Sequence, residues 1–386
     1  VEVGSSELGL LLACLREDCE FSQVESIDWD YFLDLVDWHG VGPGVASLII
    51  GNSAVPPRVV DCLRNCARMN AMKNLRISAE FMRVSAALVS SGISSIAYKG
   101  VVLSQYLYGS TGQRSVSDID LIIRPEDVLE TITCLEELGF EDGYGLSAPE
   151  RRSILGHFFE YGFARDGVAV DLHWRVVQHV AWPSLDTEKM RNELVPFQFY
   201  GEQVQVFSPE WMLVILCIHA AQHEWTHLKM FADIAKLLSK HPELEWQVVE
   251  GLAADSHSRR SLLVSLSLAH SHLGVSLPTQ MLKAIDDDGH VDQIADRVSS
   301  QFWTSRTDPT SEQNDWRWML FRTQGEHWID RLRYMGGMAF GLRISDFRAF
   351  SIPRALAWMY YLVRPFRVGF VRLKRSAISR KLKSVV

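Results

Sequence analysis

Asp118-Ile119-Asp120-Leu121-Ile122-Ile123 and, further along the chain, Val170-Asp171-Leu172-His173 decide how this sequence folds. Both read as strands, because β-branched and other apolar residues alternate with polar ones at a period of two. Alternate side chains of a strand share a face. Asp118 and Asp120 therefore point together, while Ile119, Leu121 and Ile123 turn to the core. On the second strand Asp171 and His173 share one face, and Val170, Leu172 and Trp174 the other.

Working outward, His157 to Arg165 and Val168 to Arg175 are extended runs joined by Asp166-Gly167. A two-residue Asp-Gly link is a strong hairpin signal, since a type I′ turn needs positive φ at both positions. Upstream, Ile93 to Tyr98 reads as a strand ending at Lys99-Gly100. Val101 to Tyr108 returns as a helix, and Gly109 to Ser117 is a polar loop. Pro125-Glu126 opens a helix that runs to Leu138 and is capped by Gly139. These parts make a small mixed-sheet α/β unit over residues 91–182.

The flanks are helical in texture. Leu8 to Leu15 opens one helix. Trp29 to Trp38 gives another, with Asp28 as N-cap. Pro57 starts a long stretch that reaches Ser90. After Pro183 the pattern is helical again, with Ser208-Pro209-Glu210 as a start signal and Trp211 to Ile218 as a buried apolar run. Asp233–Lys240, Glu245–Ala253, Ser261–His272 and Pro278–Ile285 continue it. The expected organisation is a helical region over 1–90, the α/β unit, a helical domain over 183–342 and a final segment over 343–386. The fold class is α+β.

Composition agrees with a folded protein. The chain has 386 residues, 47% hydrophobic and 22% charged, long enough for two or three structural units with a real core. Its net charge is −8, which argues against a general nucleic-acid coat. That figure hides an asymmetry: residues 343–386 hold eleven Lys/Arg and one acid, Asp346, so the tail is +10 and the body −18. The tail suits an anionic membrane surface or an acidic partner. Its dense aromatic residues favour a plainer reading, a last helix packed on the acidic body. The six cysteines include no C-x-x-C, and their apolar neighbours suggest buried thiols in a reducing cytoplasm. No basic, signal-like segment opens the chain.

Two acids from one strand and a third from a neighbour make an oxygen-rich cluster. Such a cluster suits Mg²⁺, a hard ion that takes a few carboxylates together with phosphate oxygens. Paired ions of this kind serve in-line phosphoryl displacement. Either pair of acids alone would ordinarily be a solvated sheet face. The order of parts raises the reading: strand, glycine, helix, polar loop, D-x-D strand, then a later Asp.

That order resembles the DNA polymerase β-type nucleotidyltransferase superfamily. More closely, the chain resembles the bacterial "uncharacterised nucleotidyltransferase" family. The matching residues are Ile96-Ala97-Tyr98-Lys99-Gly100, Leu107-Tyr108-Gly109, Arg114 to Ile123 and Asp171-Leu172-His173-Trp174-Arg175. Further matches are Asp37-Trp38-His39, His219 to Asp233 and Tyr361 to Pro365. The resemblance implies a polymerase-β-like unit that moves an NMP from an NTP, ATP first, to a hydroxyl of a small molecule or peptide, releasing pyrophosphate. It implies a two-ion site for Mg²⁺ (or Mn²⁺) on Asp118, Asp120 and Asp171, with Asp171 also receiving the acceptor's proton. Lys99, Gly100, Arg114 and Ser117 are the implied nucleotide-binding residues. The chain has Lys99-Gly100 where many superfamily members carry Gly-Gly or Gly-Ser. Lys99 reads either as a phosphate contact or as an exposed strand end. Arg114 reads either as a phosphate contact or as a salt bridge to Asp118 or Asp120. His173 orients the acceptor or Asp171, or is simply structural. A catalytically silent nucleotide-binding or scaffold protein is a further alternative.

His223-Glu224-Trp225-Thr226-His227 is a literal H-E-x-x-H. On a helix it would give zinc-hydrolase geometry. No clean third ligand follows it. His219, His223 and His227 are expected along one helical stripe, either lining the substrate cleft or packing in the helical domain. Asp286-Asp287-Asp288-Gly289 lacks the ligand pattern of a calcium loop and reads as a turn between helices.

Overall fold

The computed structural model describes residues 6–18, 26–143, 145, 151, 159–176, 187–300, 336 and 359–364. Nearly all of the basic tail lies outside them. Three short helices come first, α1 (Ser6–Arg16), α2 (Trp29–His39) and α3 (Gly42–Ile49). Asp28 caps α2 as expected: its carboxylate accepts from the amides of Asp30 and Tyr31, two of the donors a helix start leaves unpaired. The long helix α4 (Pro57–Ser90) follows. It begins on the proline, whose missing N–H costs nothing there.

The sheet then starts. β1 (Ile96–Ala97) leads into α5 (Gly100–Tyr108), and the loop after it into β2 (Asp118–Ile122). A 3₁₀ turn precedes α6 (Val128–Glu137), followed by β3 (Glu141–Asp142), β4 (Glu160–Arg165) and β5 (Val168–His173). Asp166 and Gly167 have φ of 48° and 76°, as the tight hairpin requires. α7 (Thr187–Arg191) precedes β6 (Leu194–Phe199) and β7 (Glu202–Phe207).

The last hairpin corrects the helical expectation for residues after Pro183. Tyr200 and Gly201 repeat the left-handed pair of the other hairpin, with φ of 46° and 89°. The run Val204-Gln205-Val206 alternates like a strand. This signal was present, and its short length hid it among the helices. The seven strands run in the order β3-β4-β5-β2-β1-β7-β6, with β2 parallel to β5, β1 antiparallel to β2 and parallel to β7. The hairpin 194–207 thus completes the sheet from beyond residue 182.

A helical layer closes the molecule: α8 (Pro209–Gln222), α9 (Leu228–Lys240), α10 (Trp246–Asp255), α11 (Arg259–Leu273), α12 (Thr279–Asp287) and α13 (Val291–Ser299). α8 is apolar on all sides and buries Trp211 to Ile218 without a break, as a central helix must. Asp286 and Asp287 end α12, which corrects the expectation of a turn there; only Asp288 and Gly289 lie between α12 and α13, where Arg260 donates to Asp288 at 3.0 Å. Cys14, Cys134 and Cys217 are buried, but Cys62 and Cys66 are exposed on α4, which corrects the expectation of buried thiols. Among the described residues, no helix is long and apolar enough to cross a membrane.

Candidate active site

The parallel ladder between β2 and β5 aligns Asp118 with Ala169, Asp120 with Asp171 and Ile122 with His173. Register and pleat therefore put Asp118, Asp120, Asp171 and His173 on one face. They form the floor of a cavity of about 510 Å³. Its other lining includes Lys99, Arg114, Ser117 and Glu160, and on the helical side His219, His223, His227, Lys229 and Asp233.

Asp120 is the hub. Its Oδ1 lies 3.1 Å from Lys99 Nζ and 3.3 Å from His173 Nε2. Burial alone would raise its pKa, but Lys99 and His173 together hold it well below the usual carboxylate range. Lys99 is shielded as well, and Asp120 keeps it charged by raising its pKa against the opposing effect of burial. Lys99 is thus not an exposed strand end; it is a largely shielded ion-pair partner of Asp120 that also lines the cavity. Asp171 behaves oppositely to Asp120. Burial, then the charges of Asp118 and Asp120, push it up to about 6. Asp118 is raised by burial and by Asp120, while Ser117 donates to its Oδ2 at 2.8 Å.

Gly100 sits at φ +58°, and a Cβ there would stand 3.0 Å from the Asp118 carbonyl oxygen. The glycine thus allows the start of α5 to press against the backbone of β2.

Arg114 does not pair with Asp118 or Asp120. Its Nε donates to both oxygens of Asp233, at 3.1 and 2.9 Å, and Tyr108 donates to the same carboxylate at 2.9 Å. The loop carrying Arg114 is tied to α4 from below. Asn70 donates to the carbonyls of Gly112 and Arg114, and Asn74 to those of Thr111 and Arg114. Sequence reasoning missed these two asparagines. Their signal is the i, i+4 spacing of two amides on the inward face of a long helix. It also missed Lys229, and saw Asp233 only within a matching stretch.

The H-E-x-x-H expectation fails on backbone geometry. α8 ends at Gln222, and Glu224 and Trp225 have φ of 58° and 52°. The Glu224 amide bonds to the Ala221 carbonyl and the Trp225 amide to that of Ala220, the Schellman closure of a helix. Trp225 is swung into the core, with Nε1 donating to Ser265 at 2.8 Å. His223 and His227 therefore lie on opposite sides of a turn, without the helical i, i+4 geometry. The expected single stripe is broken, although His219, His223 and His227 all line the cavity. His219 and His223 stack edge to face at 4.5 Å, and His227 packs on Trp38 at 5.2 Å. Burial lowers the pKa of all three histidines, most of all His219, where Lys99 adds to the effect.

One group of donors fits a metal ion. Atoms of Asp120, Asp171 and His173 all lie within 4.8 Å of one another, and carboxylate oxygens suit a hard divalent cation. His173 Nδ1 is buried without a hydrogen bond; its 3.5 Å approach to Glu160 Oε2 is an ion-pair distance only. A buried polar atom without a hydrogen bond is a feature expected of a ligand site.

A D-x-D strand beside a parallel strand bearing a third acid, opening on a cavity walled by helices, defines a protein of the nucleotidyltransferase type. The chain belongs to the uncharacterised nucleotidyltransferase family, whose model matches residues 25–274. No curated protein matches it. Among solved structures it is similar to an antigenic nucleotidyltransferase-like protein from Paracoccidioides brasiliensis. That match has 20% identity, covers 52% of this chain and 92% of that one, and gives a TM-score of 0.29. So loose a superposition carries no argument about the site.

Proposed function

We propose that the protein transfers an NMP from an NTP to a hydroxyl of a small molecule or peptide and releases pyrophosphate. The observation that carries this reading is the pairing of Asp120 with Asp171 across parallel strands, with Asp118 on the same face at the floor of the cavity. Asp120, Asp171 and His173, with Asp118 beside them, would hold the divalent ion. Bound Mg²⁺ or Mn²⁺ supplies charge neutralisation on the phosphates and polarises the α-phosphorus.

The chain's own groups do the rest. Lys99 keeps Asp120 ionised and places a cation beside the phosphates. Ser117 fixes one oxygen of Asp118. Arg114, committed to Asp233, holds the loop before β2 in place. The acceptor oxygen bonds to the α-phosphorus as the bond from that phosphorus to the bridging oxygen of pyrophosphate breaks. The hydroxyl proton passes to an Asp171 carboxylate oxygen, which faces the cavity beside Asp120.

The test is transfer of label from α-phosphate-labelled NTPs, ATP first, with Mg²⁺ and a native extract as the acceptor source. Label should move with the wild type and drop by more than about 100-fold in Asp118→Ala and Asp120→Ala. Equal labelling by these variants sinks the reading. Nucleotide binding with no pyrophosphate release across a broad acceptor set would replace it with a silent binding protein.

A further inference from the structure

The cavity holds three long cationic side chains: Lys99, Arg114 and Lys229. The first two are answered by carboxylates, Asp120 and Asp233. Lys229 makes no hydrogen bond or ion pair among the described residues, although it is half-buried. Its stem is held in place. Gly40, which ends α2 in the left-handed conformation at φ +67°, leaves the room; a Cβ there would stand 3.1 Å from Lys229 Cδ and 3.9 Å from Nζ. Thus the N-terminal helices and α9 together bring one unanswered ammonium into the cavity.

We propose that Lys229 binds the two terminal phosphates of the nucleotide, the part that leaves as pyrophosphate. The inference rests on the nucleotidyltransferase reading above and deepens it. A shielded charge with no partner is costly, and an arriving anion removes that cost. Consistent with this, burial and the nearby Arg114 disfavour the charged form of Lys229, while Asp233 and Asp118 favour it. The histidines around it cannot substitute, since burial keeps His219, His223 and His227 from charging easily. They offer hydrogen bonds instead. The acids line the opposite floor, where a divalent ion would engage the same phosphates. A polyphosphate is the ligand that meets both walls: oxygens for the metal on one side and surplus negative charge for Lys229 on the other.

The experiment is calorimetric titration of the full chain in Mg²⁺ with inorganic pyrophosphate and, separately, with AMP. Lys229→Met should weaken pyrophosphate binding by about tenfold or more, the scale of a hydrogen bond to a charged group, and leave AMP binding unchanged. Lys229→Arg should restore most of the loss, which guards against a folding defect. Unchanged pyrophosphate binding in Lys229→Met overturns the inference, as does a parallel loss for AMP, which would mark a structural role. A raised KM for the acceptor alone would assign Lys229 to an anionic acceptor and also overturn it. If the wild type transfers label normally while Lys229→Met binds pyrophosphate like wild type, only this inference falls. If the wild type binds neither ligand and transfers no label, the nucleotidyltransferase reading falls with it.

Discussion

The two walls of the cavity are built on different physics. The acidic wall is sheet. Five aligned residue pairs hold β2 to β5, so side-chain spacing follows from backbone hydrogen bonds and a period of two. The histidine wall is a chain reversal. α8 stops, two residues take left-handed conformations, Trp225 buries, and α9 departs. Spacing there follows from an anchor and not from a periodic ladder. Charge differs in the same way. On the sheet, Asp120 is tightly compensated by Lys99 and His173 while Asp171 is left to carry the strain of three neighbouring acids. On the helical wall burial drives His219, His223 and His227 towards neutrality, and Lys229 has no ion pair among the described residues. A periodic backbone can crowd like charges on one face and keep them there; a turn places fewer groups and tunes each through burial.

The first way to break this contrast is to disturb the ladder's edge. Gly100→Ala forces a Cβ to within 3.0 Å of the Asp118 carbonyl at a φ of +58°. The left-handed strain alone costs about 1–2 kcal/mol, and the contact must be relieved by moving α5 or β2. We expect a total loss near 2–3 kcal/mol in urea denaturation and a clear drop in label transfer, because Asp118 moves with its carbonyl. Wild-type stability and transfer would show that α5 does not set the position of β2.

A smaller effect, with a sign that reverses, is expected at Asp171. Its folded pKa of about 6 lies above its ordinary value of 3.8. The folded state therefore favours the protonated acid. That contribution to stability is fully present below pH 3.8 and is lost as pH rises through about 6. Asn cannot ionise, so metal-free Asp171→Asn should lack this decline and be more stable than wild type at pH 7.5, by about 1–2 kcal/mol after solvent screening. With Mg²⁺ or Mn²⁺ present the order should reverse, since the wild type gains stability by binding and the variant loses a ligand. Thermal melts in chelator and in metal give both signs. Parallel curves for the two proteins would remove Asp171 from the metal site.

These contrasts also explain what could be read in the sequence. The Asp-x-Asp strand and the Asp171 strand were legible because period two survives any twist of the sheet. The D-G hairpin and the Pro57 and Asp28 helix starts were legible because each rests on the backbone preference of a few adjacent residues. Lys99 and Arg114 were recognised as basic residues of the site, but their partners were not, since ion pairing depends on the tertiary placement of Asp120 and Asp233. Lys229 gave no local signal at all; only the fold shows that Gly40 makes room for it. The His223-to-His227 spacing misled for a related reason. An i, i+4 motif has meaning only if the helix continues, and what ends this one is the buried place waiting for Trp225.

The smallest expected effect tests that last point. If His223 and His227 formed a zinc site on a helix, Glu224 would be its general base, and Glu224→Gly would weaken that helix by about 1 kcal/mol and abolish the chemistry. In the turn described above, Glu224 occupies the left-handed position that closes a helix, the place glycine takes most readily. The substitution relieves about 1 kcal/mol of left-handed strain and costs about 0.5–1 kcal/mol in unfolded-state entropy. These nearly cancel, so stability should change by less than about 1 kcal/mol in urea denaturation. Label transfer should persist, and elemental analysis should find no stoichiometric zinc in either protein. Stoichiometric zinc that disappears in His223→Ala, together with a dead Glu224→Gly variant, would overturn the contrast between the two walls. The histidine side would then be an active metal centre, and the backbone there would have to be helical when metal is bound.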